Sequence, residues 1–259
     1  MTTLSLGMET HVNVKTTGLL VLLALLPLTA VSQHHEGRTR YEALHADVAP
    51  VIDGSDADAA WANAAWQPLN HNWLGPEIAP GDFEGRYKVV WTEERIYLLA
   101  ELVDDVLYDI YRDPLTQYWD DDTLEIFIDE DHSGGDHQFN HNAFAYHMSL
   151  DNRAIDIGTD EKPRDYSHHV DSHWRQYEDK MIWEVAIDIY DDSYVDDSAD
   201  NAPVALSAGK VMGMMVAYCD NDASELRENF VGSEMTFEGK TDWGWIDAGL
   251  FGELVLSNE

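Results

Sequence analysis

The sequence is poor in positive charge and contains a single cysteine. Its 15 lysine and arginine residues stand against 50 aspartate and glutamate residues, so the formal net charge is −35 at pH 7. A chain this acidic has no electrostatic attraction for nucleic acid or for anionic lipid, which excludes both as electrostatic partners. Because Cys219 is alone, no intramolecular disulfide can form, and stability must come from the core, with metal ions as a further source.

Motifs of the common enzyme classes are also missing. The chain has no Gly-x-Ser-x-Gly elbow, no phosphate-binding glycine loop, no Gly-x-Gly-x-x-Gly and no His-Glu-x-x-His. With 50 acidic residues, some carboxylate pair will always have a glycosidase-like separation, so such a pair carries little information. We therefore expect a binding protein, and glycoside hydrolase activity remains an alternative without a catalytic motif.

The chain does contain enough apolar material for a sizeable core. Hydrophobic residues make up 44% of the 259 positions, with nine tryptophans, twelve tyrosines and seven phenylalanines. This content excludes a disordered acidic tail, and the length favours one folded domain. We place that domain at residues 47–259.

The N-terminal segment is predicted to be a secretory signal. Lys15 precedes an apolar run over residues 18–31, which is followed by Ser32. The run is shorter than the ~20 residues of a spanning helix and contains Pro27, so we expect cleavage and no stable membrane insertion. The mature chain would then be periplasmic, at the cell surface or extracellular.

Between this signal and the domain, residues 33–46 lack apolar periodicity. We predict a flexible tether there.

Short runs rich in β-branched and aromatic residues dominate the rest of the chain, with turn-forming stretches between them. They predict strands at 86–92, 95–103, 123–129, 142–150, 166–177, 181–189, 211–219 and 250–256. This rhythm predicts an all-β fold, a two-layer antiparallel β-sandwich of immunoglobulin-like or jelly-roll-like type. Helix is predicted only at 56–65 and, as a second short segment, at 191–195.

Aromatic and acidic residues recur together just before two of these strands. Trp119 stands beside Tyr118 and three aspartates, and Trp245 lies in a Trp-Gly-Trp-Ile-Asp run before the last strand. Flat aromatic rings contact the C–H faces of a pyranose, and neighbouring carboxylates bind its hydroxyls. The alternative is that both tryptophans are core residues, and these residues alone favour neither interpretation.

Four segments, in order, resemble the family 9 carbohydrate-binding modules. They are Pro-Val-Ile-Asp-Gly at 50–54 followed by Trp61, Val-Trp-Thr-Glu-Glu-Arg-Ile-Tyr at 90–97, Trp-Asp-Asp-Asp-Thr-Leu-Glu-Ile-Phe-Ile-Asp at 119–129, and Trp-Ile-Asp-Ala-Gly-Leu-Phe-Gly at 245–252. The resemblance covers about residues 47–257. It implies a β-sandwich related to the DOMON-like folds, non-catalytic binding of a saccharide or polysaccharide, and bound calcium. In the family it often implies attachment to a xylanase; because this sequence shows no catalytic motif, we expect a role in polysaccharide catabolism beside a separate glycoside hydrolase.

The resemblance also implies site residues. Trp119 and Trp245 match the two aromatic walls of the family's sugar slot, and Glu125 matches a hydroxyl-binding carboxylate. Tyr146 stands where the best-known modules have an arginine, and Cys219 where they have an asparagine.

The two residues after Cys219 complete the expected site. Asp220 matches the family, and Asn221 follows it as a further sugar-binding candidate. A slot that keeps its walls but loses an arginine and an asparagine keeps stacking and loses discriminating hydrogen bonds. We therefore expect altered ligand specificity. The preference of the family for the reducing end of a glycan does not carry over to this sequence by resemblance alone.

The segment 129–136 is a candidate calcium loop. Asp129, Asp131, Ser133 and Asp136 place oxygen ligands alternately around a glycine turn, as in loops that bind hard cations. The alternative is an ordinary acidic hairpin. The aspartates near residues 53–58 and at 220–222 are weaker oxygen clusters of the same kind.

Two further sets of residues leave alternatives open. Seven histidines fall in two stretches, 132–147 and 168–173, and together with the Met212–Met215 region they keep open a haem- or metal-binding DOMON-like redox sandwich. We expect these histidines to lie in solvent or on a sheet face and the methionines to be core residues. Arg227 is either a structural ion-pair partner or a ligand contact.

Overall fold

A computed structural model describes residues 37–237 and 239–258. The predicted signal peptide and the first four residues of the predicted tether lie outside these residues, so those two predictions stay predictions there. No helix among the described residues is both long and apolar enough to cross a membrane.

The described residues are almost entirely strands and loops. The strands are β1 Arg40–His45, β2 Gln67–Leu69, β3 His71–Leu74, β4 Phe83–Trp91, β5 Arg95–Asp104, β6 Thr123–Asp129, β7 Phe144–Ser149, β8 Ala154–Ile157, β9 Pro163–Asp165, β10 Val170–Gln176, β11 Met181–Asp188, β12 Val211–Asp220, β13 Asn229–Gly232 and β14 Gly252–Ser257. Three one-turn 3-10 helices, Ala59–Trp61, Ser167–His169 and Ala248–Leu250, complete the described secondary structure.

The strands form one mixed sheet that curls into two layers. Its order is β10-β11-β5-β4-β1-β14-β12-β6-β7-β8-β9, with β2 on β4, β13 on β12 and β3 on β13. All neighbours pair antiparallel except β1, which pairs parallel with both β4 and β14. β1 therefore joins the β4-β5-β11 half of the sheet to the β6-β7-β12 half, and this confirms the sandwich prediction.

The period of two along the strands separates the two faces of each layer. On β6, Leu124 and Ile126 point into the main core, where they join Leu98 of β5 and Trp183 of β11. Phe127 points the other way, into a smaller core on the opposite face of the β6-β7-β12 layer. The candidate site described below is built on that second face.

All eight predicted strands are confirmed, but the helix predictions need correction. Within 56–65 only one 3-10 turn forms, at Ala59–Trp61, and its N-cap residue Asp58 makes no capping hydrogen bond from its side chain. Residues 191–195 form a turn, because the Asp191 carboxylate accepts from the backbone N–H of Ser193. Local side-chain to backbone bonds of this kind compete with helix formation.

The predicted tether is also wrong in part, because β1 lies inside residues 33–46. Tyr41 and Ala43 are buried, and Arg40 and Glu42, which alternate with them, are exposed. The strand was missed because only two of its residues point into the core. Its other positions include the charged residues Arg40 and Glu42, so the alternation of apolar and polar residues is too short to recognise.

Candidate functional site

A slot of about 300 Å³ opens on the second face of the β6-β7-β12 layer. Its floor lies over the strands, and three loops supply its walls, namely β5–β6, β12–β13 and β13–β14. The residues that line it are Tyr118, Trp119, His147, Asp156, Ile157, Arg227, Asp242 and Trp245.

The β5–β6 loop presents Trp119 with 38% of its surface exposed. The ring of Tyr118 packs edge-on against the Trp119 ring at 4.9 Å and against the His147 ring at 4.8 Å. Because Tyr118 is buried, it fixes this wall to the floor of the slot.

The β12–β13 loop ties down the chain next to Trp119. Asn221 Nδ2 donates to the carbonyl oxygens of Asp120, at 2.5 Å, and Ser224, at 3.2 Å. The Asn221 backbone N–H donates to Asp122 Oδ1 at 2.8 Å. Asn221 is fully buried, so it positions the loop that carries Trp119.

Trp245 comes from the β13–β14 loop, which is docked on the segment that follows β6. His137 Nε2 donates to the Gly244 carbonyl oxygen at 2.7 Å, and the His137 backbone N–H donates to that of Ile246 at 2.9 Å. Gly244 also packs tightly, since a Cβ atom there would lie 2.5 Å from Met215 Cε. These contacts hold the peptide on both sides of Trp245.

Beneath the slot lies a buried ion pair that joins β6 and β7. Glu125 and His147 are register partners, and His147 Nε2 lies 3.1 Å from Glu125 Oε1. The same oxygen accepts from Cys219 Sγ at 3.0 Å. Burial opposes both charges, but each partner favours the charge of the other, so the pKa of Glu125 falls below and that of His147 rises above its ordinary value.

Arg227 is an ion-pair partner and also lines the slot, so the ion-pair interpretation is confirmed and the ligand contact stays a prediction. Its Nη2 donates to Asp242 Oδ1 at 3.1 Å, and its Nη1 lies 3.2 Å from Cys219 Sγ and 3.7 Å from Glu125 Oε1. The guanidinium packs over the Phe230 ring at 4.1 Å. Burial lowers the pKa of Arg227, but Cys219, Glu125 and Asp242 raise it, and the net shift is upward.

Asp156 on β8 supplies a second carboxyl group to the slot. Its two oxygens accept from the backbone N–H groups of Ala145 and Ile157, each at 2.7 Å. Burial raises the pKa of Asp156 to about 7, against the opposing effect of these two bonds. Near neutral pH this carboxyl group can therefore either donate a proton to a ligand hydroxyl or accept one from it.

The structure brings together three of the six predicted sugar-binding residues. Trp119 and Trp245 line the slot, and Glu125 lies just beneath it, in contact with the lining residues His147 and Arg227.

Tyr146 does not reach the slot, which corrects its predicted role. Its side chain is 1% exposed and lies in the main core, where its hydroxyl is 2.8 Å from His169 Nδ1. On β7 the odd-numbered residues face the slot, so the next residue, His147, occupies the place that was assigned to Tyr146. A shift of one residue along a strand moves the side chain to the other face.

Asp220 and Asn221 also lie away from the slot. Asp220 ends β12 on the face opposite Cys219 and approaches Asp104 at the end of β5. Asn221, as described above, binds backbone and not the cavity. Both assignments to sugar contact are therefore corrected by the structure.

Sequence reasoning missed most of the polar lining, because it comes from distant segments. His147 could have been found from the period of two along β7. Asp156 and Asp242 carry no local signal, since one lies on a strand of four residues and the other in a long loop. Arg227 was noticed, but its partners depend on tertiary structure.

Of the predicted calcium ligands at 129–136, Asp129 and Asp131 contact each other, but no third acidic or histidine ligand among the described residues joins them. Asp129 Oδ2 accepts from the Gly134 N–H at 2.7 Å, and its buried Oδ1 has no hydrogen-bond partner. Ser133 and Asp136 are turned to other partners, Asn142 and the backbone N–H of Gln138. Within residues 37–237 and 239–258, no three acidic or histidine ligands meet at this loop.

Carboxylates do converge at the end of β5. Asp104, Asp220 and Asp222 bring one oxygen each within 4.8 Å of one another, and Asp82, Asp105 and Asp222 form a second such group. We call these five residues the acidic cluster. Burial, followed by the charge of the neighbouring carboxylates, raises the pKa of Asp220 to about 7 and that of Asp222 to about 6.

The histidines are more buried than expected. His137, His141, His147 and His169 are all buried, and only His147 fits the prediction of a sheet-face residue. His169 lies in the main core among tyrosines, and burial lowers its pKa to about 3, with smaller contributions from His168 and His141. The methionines of β12 are core residues, as predicted.

Taken together, two tryptophans and a set of charged hydrogen-bonding groups line one small concave slot on a β-sandwich. Indole rings offer flat contact area to a sugar ring, and carboxylates and imidazole offer partners to its hydroxyls. This arrangement is typical of a carbohydrate-binding module. The chain belongs to the carbohydrate family 9 binding domain-like family, whose model matches residues 52–259.

Solved structures share the fold. A carbohydrate binding module family 9 from Caldicellulosiruptor kristjanssonii, solved in complex with cellotriose, has a TM-score of 0.63 and 20% identity, covering 85% of this chain and 95% of that one. The same module solved with glucose gives the same score and identity, with 97% of that chain covered. A protein from Bacteroides uniformis ATCC 8492 has a TM-score of 0.55 at 13% identity, covering 85% of this chain and all of that one. No curated protein sequence matches the chain.

Proposed function

We propose that this protein binds carbohydrate without cleaving it, and that it does so by stacking a sugar ring against Trp119 and Trp245. The observation that carries the proposal is the single slot in which both tryptophans meet a polar floor. The membership of the family and the two sugar complexes of a protein with the same fold support it.

The polar lining would fix the orientation of the ring. The free oxygen of Asp242 and the carboxyl group of Asp156 are acceptors for sugar hydroxyls, and the buried Glu125–His147 pair beneath them holds the floor rigid. Side chains that are already paired lose little conformational freedom when a ligand binds. The slot is thus preorganised for its ligand.

The cellular role belongs to the same proposal. A secreted module of this kind would hold a plant or algal polysaccharide for a separate glycoside hydrolase and so assist its breakdown. The signal-like segment over residues 18–31 and the absence of enzyme motifs support this role.

The contacts of His147 argue against the haem alternative. Its Nε2 pairs with Glu125, and its Nδ1 donates to the Ala145 carbonyl oxygen at 2.9 Å. Neither ring nitrogen is left to ligate iron without breaking a buried bond. Met214 and Met215, on neighbouring positions of β12, point into different cores.

Calcium is proposed as a structural ion at the acidic cluster. Asp222 Oδ1 is buried without a hydrogen-bond partner, and Asp220 is only 2% exposed among like charges. A hard cation favours such oxygen ligands and would relieve their repulsion. Asp104, Asp220 and Asp222 fit that role, and the ion would stabilise the strand ends next to the loop that carries Trp119.

Titration calorimetry of the mature chain with glucose, xylose, cellobiose and plant and algal oligosaccharides tests the proposal. Trp119→Ala and Trp245→Ala should each weaken binding at least about tenfold, since loss of a stacking wall removes more than ~1.4 kcal/mol. Trp243→Ala is the matched control, because Trp243 is as exposed as Trp119 and does not line the slot. Equal binding by all variants would place the site elsewhere.

The same samples separate binding from hydrolysis. Incubation with each oligosaccharide should release no reducing sugar. Release that is lost in Asp156→Asn would contradict the non-catalytic proposal, because Asp156 is the lining carboxyl group with the pKa best suited to proton transfer.

A further inference from the structure

Among the described residues that line the slot, Arg227 is the only lysine or arginine. Both terminal nitrogens of its guanidinium are already engaged by protein atoms. Nη2 donates to Asp242 Oδ1, and Nη1 contacts Cys219 Sγ and lies near Glu125. The stacking on Phe230 fixes the plane of the group, so it cannot turn away from these partners.

A sugar acid would need that guanidinium. Uronic acids carry a carboxylate at C6, and proteins recognise carboxylates best through the two parallel N–H groups of an arginine. Because Nη2 already donates to Asp242, a carboxylate entering the slot would compete with Asp242 for the guanidinium and its charge. It would also face the negative charge of Asp242 at close range, since 42% of that side chain is exposed.

Of the other charged groups of the slot, His147 is a cation whose charge is balanced by Glu125, and Asp156 is a second carboxyl group, which repels a carboxylate when it is ionised. Asp156 lines the cavity, and Glu125 lies beneath it with its charge already matched by His147 and Arg227. Binding a uronic acid would bring its carboxylate close to the carboxylates of the slot, and this repulsion weakens its binding relative to that of a neutral sugar. An uncharged hydroxymethyl group at C6 meets none of this repulsion.

We propose that Asp242 is a specificity-determining residue, which holds Arg227 and so restricts the slot to uncharged sugars while excluding uronic acids. The inference rests on the proposed function, because it concerns the ligand class of the same slot. Asp242 acts in two ways, by occupying the arginine and by repelling a second carboxylate.

The test uses pairs of ligands that differ only at C6. Calorimetry would compare glucose with glucuronate, galactose with galacturonate, and mannose with mannuronate, in 0.5 M NaCl so that the charge of the whole chain is screened. The wild-type protein should bind the neutral member of at least one pair, and its uronate at least about tenfold more weakly. In Asp242→Asn this ratio should shrink by about tenfold or more, because Arg227 is released.

Asp247→Asn is the matched control. It removes one negative charge from the same loop, where Asp247 pairs with Lys240 at 2.6 Å outside the slot, and it should leave the ratio unchanged. An unchanged ratio in Asp242→Asn, or wild-type binding of a uronate as tight as its neutral partner, overturns the inference and leaves sugar binding intact. Absence of binding by every member of every pair, and by the xylose, cellobiose and oligosaccharides of the first titration, overturns the proposed function, and the inference with it.

Discussion

Glu125 and His147 form an ion pair that is buried directly beneath the two tryptophans of the slot, with 3.1 Å between Glu125 Oε1 and His147 Nε2. The two residues are partners in the β6–β7 ladder, so the charge pair links the floor of the slot to the stability of the sheet. A buried pair is expensive to break, because the partner that remains is left charged in a dry site.

The first prediction is that Glu125→Gln lowers the free energy of unfolding by about 3 kcal/mol near pH 5.5. The pKa of His147 is raised above its ordinary 6.5, so its contribution is complete below that pH and disappears as pH rises through the folded-state pKa. The pKa of Glu125 is lowered below 4.5, so its contribution is complete above that pH and disappears as pH falls through its folded-state pKa.

The two windows overlap between about pH 4.5 and 6.5, where the pair stabilises the fold most. Urea unfolding at pH 5.5 and pH 9 measures the effect. The difference between wild type and Glu125→Gln should be larger at pH 5.5. A difference that does not change with pH would mean that the pair is not charged in the folded protein.

The second prediction concerns calcium at the acidic cluster. Saturating calcium should raise the midpoint of thermal unfolding, because an ion that binds only the folded state adds about 2.7 kcal/mol at a hundred times its dissociation constant. For a domain of this size that is roughly 5–10 °C. Chelator should reverse the shift in differential scanning calorimetry.

Two variants locate the ion. Asp220→Asn should abolish the calcium-dependent shift and, without calcium, should be more stable than wild type because a repelled buried charge is gone. Asp131→Asn, in the segment first predicted as the calcium loop, should keep the shift. The reverse pattern would restore the 129–136 loop as the site, and no shift in the wild type would contradict structural calcium.

The strands that could be predicted from the sequence are those whose apolar residues correspond to the positions that are buried in the fold. β6 and β11 are continuously buried, and their apolar residues identified them at once. β1 and β13 were missed because they are short and carry polar residues that only a neighbouring strand explains. Asn229, for example, begins β13 with its amide bonded to the Pro76 carbonyl oxygen.

The site was predicted less completely than the fold, for two physical reasons. The tryptophans are large aromatic residues at loop ends, and the resemblance to the family assigned them to the slot where the residues alone left core packing open. Arg227, Asp242 and Asp156 become neighbours only when three separate loops and strands meet, so no spacing in the sequence records them. The site position assigned to Tyr146 is occupied by His147. An error of one residue does not affect the location of a strand, but it places the side chain on the opposite face of the sheet.

The third prediction is that His137→Ala weakens sugar binding although His137 does not line the slot. Its imidazole holds the Gly244 carbonyl oxygen, next to Trp245, and burial keeps its pKa low and the ring neutral. Loss of this bond should free the loop and reduce affinity by about tenfold, measured per folded molecule, because the wall must be ordered again on binding.

His141→Ala is the control for that variant. His141 is equally buried but pairs with Asp196, on a different part of the layer. It should lower stability and leave the sugar affinity of the folded protein unchanged. Equal loss of affinity in both variants would show that general destabilisation, and not the position of Trp245, is responsible.

The last prediction concerns Glu184, which is fully buried on β11 in the other half of the sheet. Its Oε2 accepts from the backbone N–H groups of residues 53, 54 and 55 at 3.0, 2.9 and 3.1 Å, and its Oε1 accepts from Trp61 Nε1 at 2.9 Å. Gly54 adopts a φ of 76° there, and a Cβ atom at that position would lie 2.8 Å from the Arg175 nitrogen. One carboxylate thus fixes a tight turn that requires glycine at position 54.

Glu184→Ala should therefore lower the free energy of unfolding by about 3 kcal/mol, because four donors lose their acceptor at once. Glu184→Gln should cost less, since its amide oxygen can still accept from part of the set. Denaturant unfolding gives the stabilities, and calorimetry at a temperature where both variants are folded should show unchanged sugar affinity, as neither residue 184 nor the 53–55 turn lines the slot. A loss of affinity in folded Glu184→Gln would show that the two halves of the sheet are coupled through the core. The geometry of the slot would then depend on the β4-β5-β11 half as well as on the β6-β7-β12 layer that carries it.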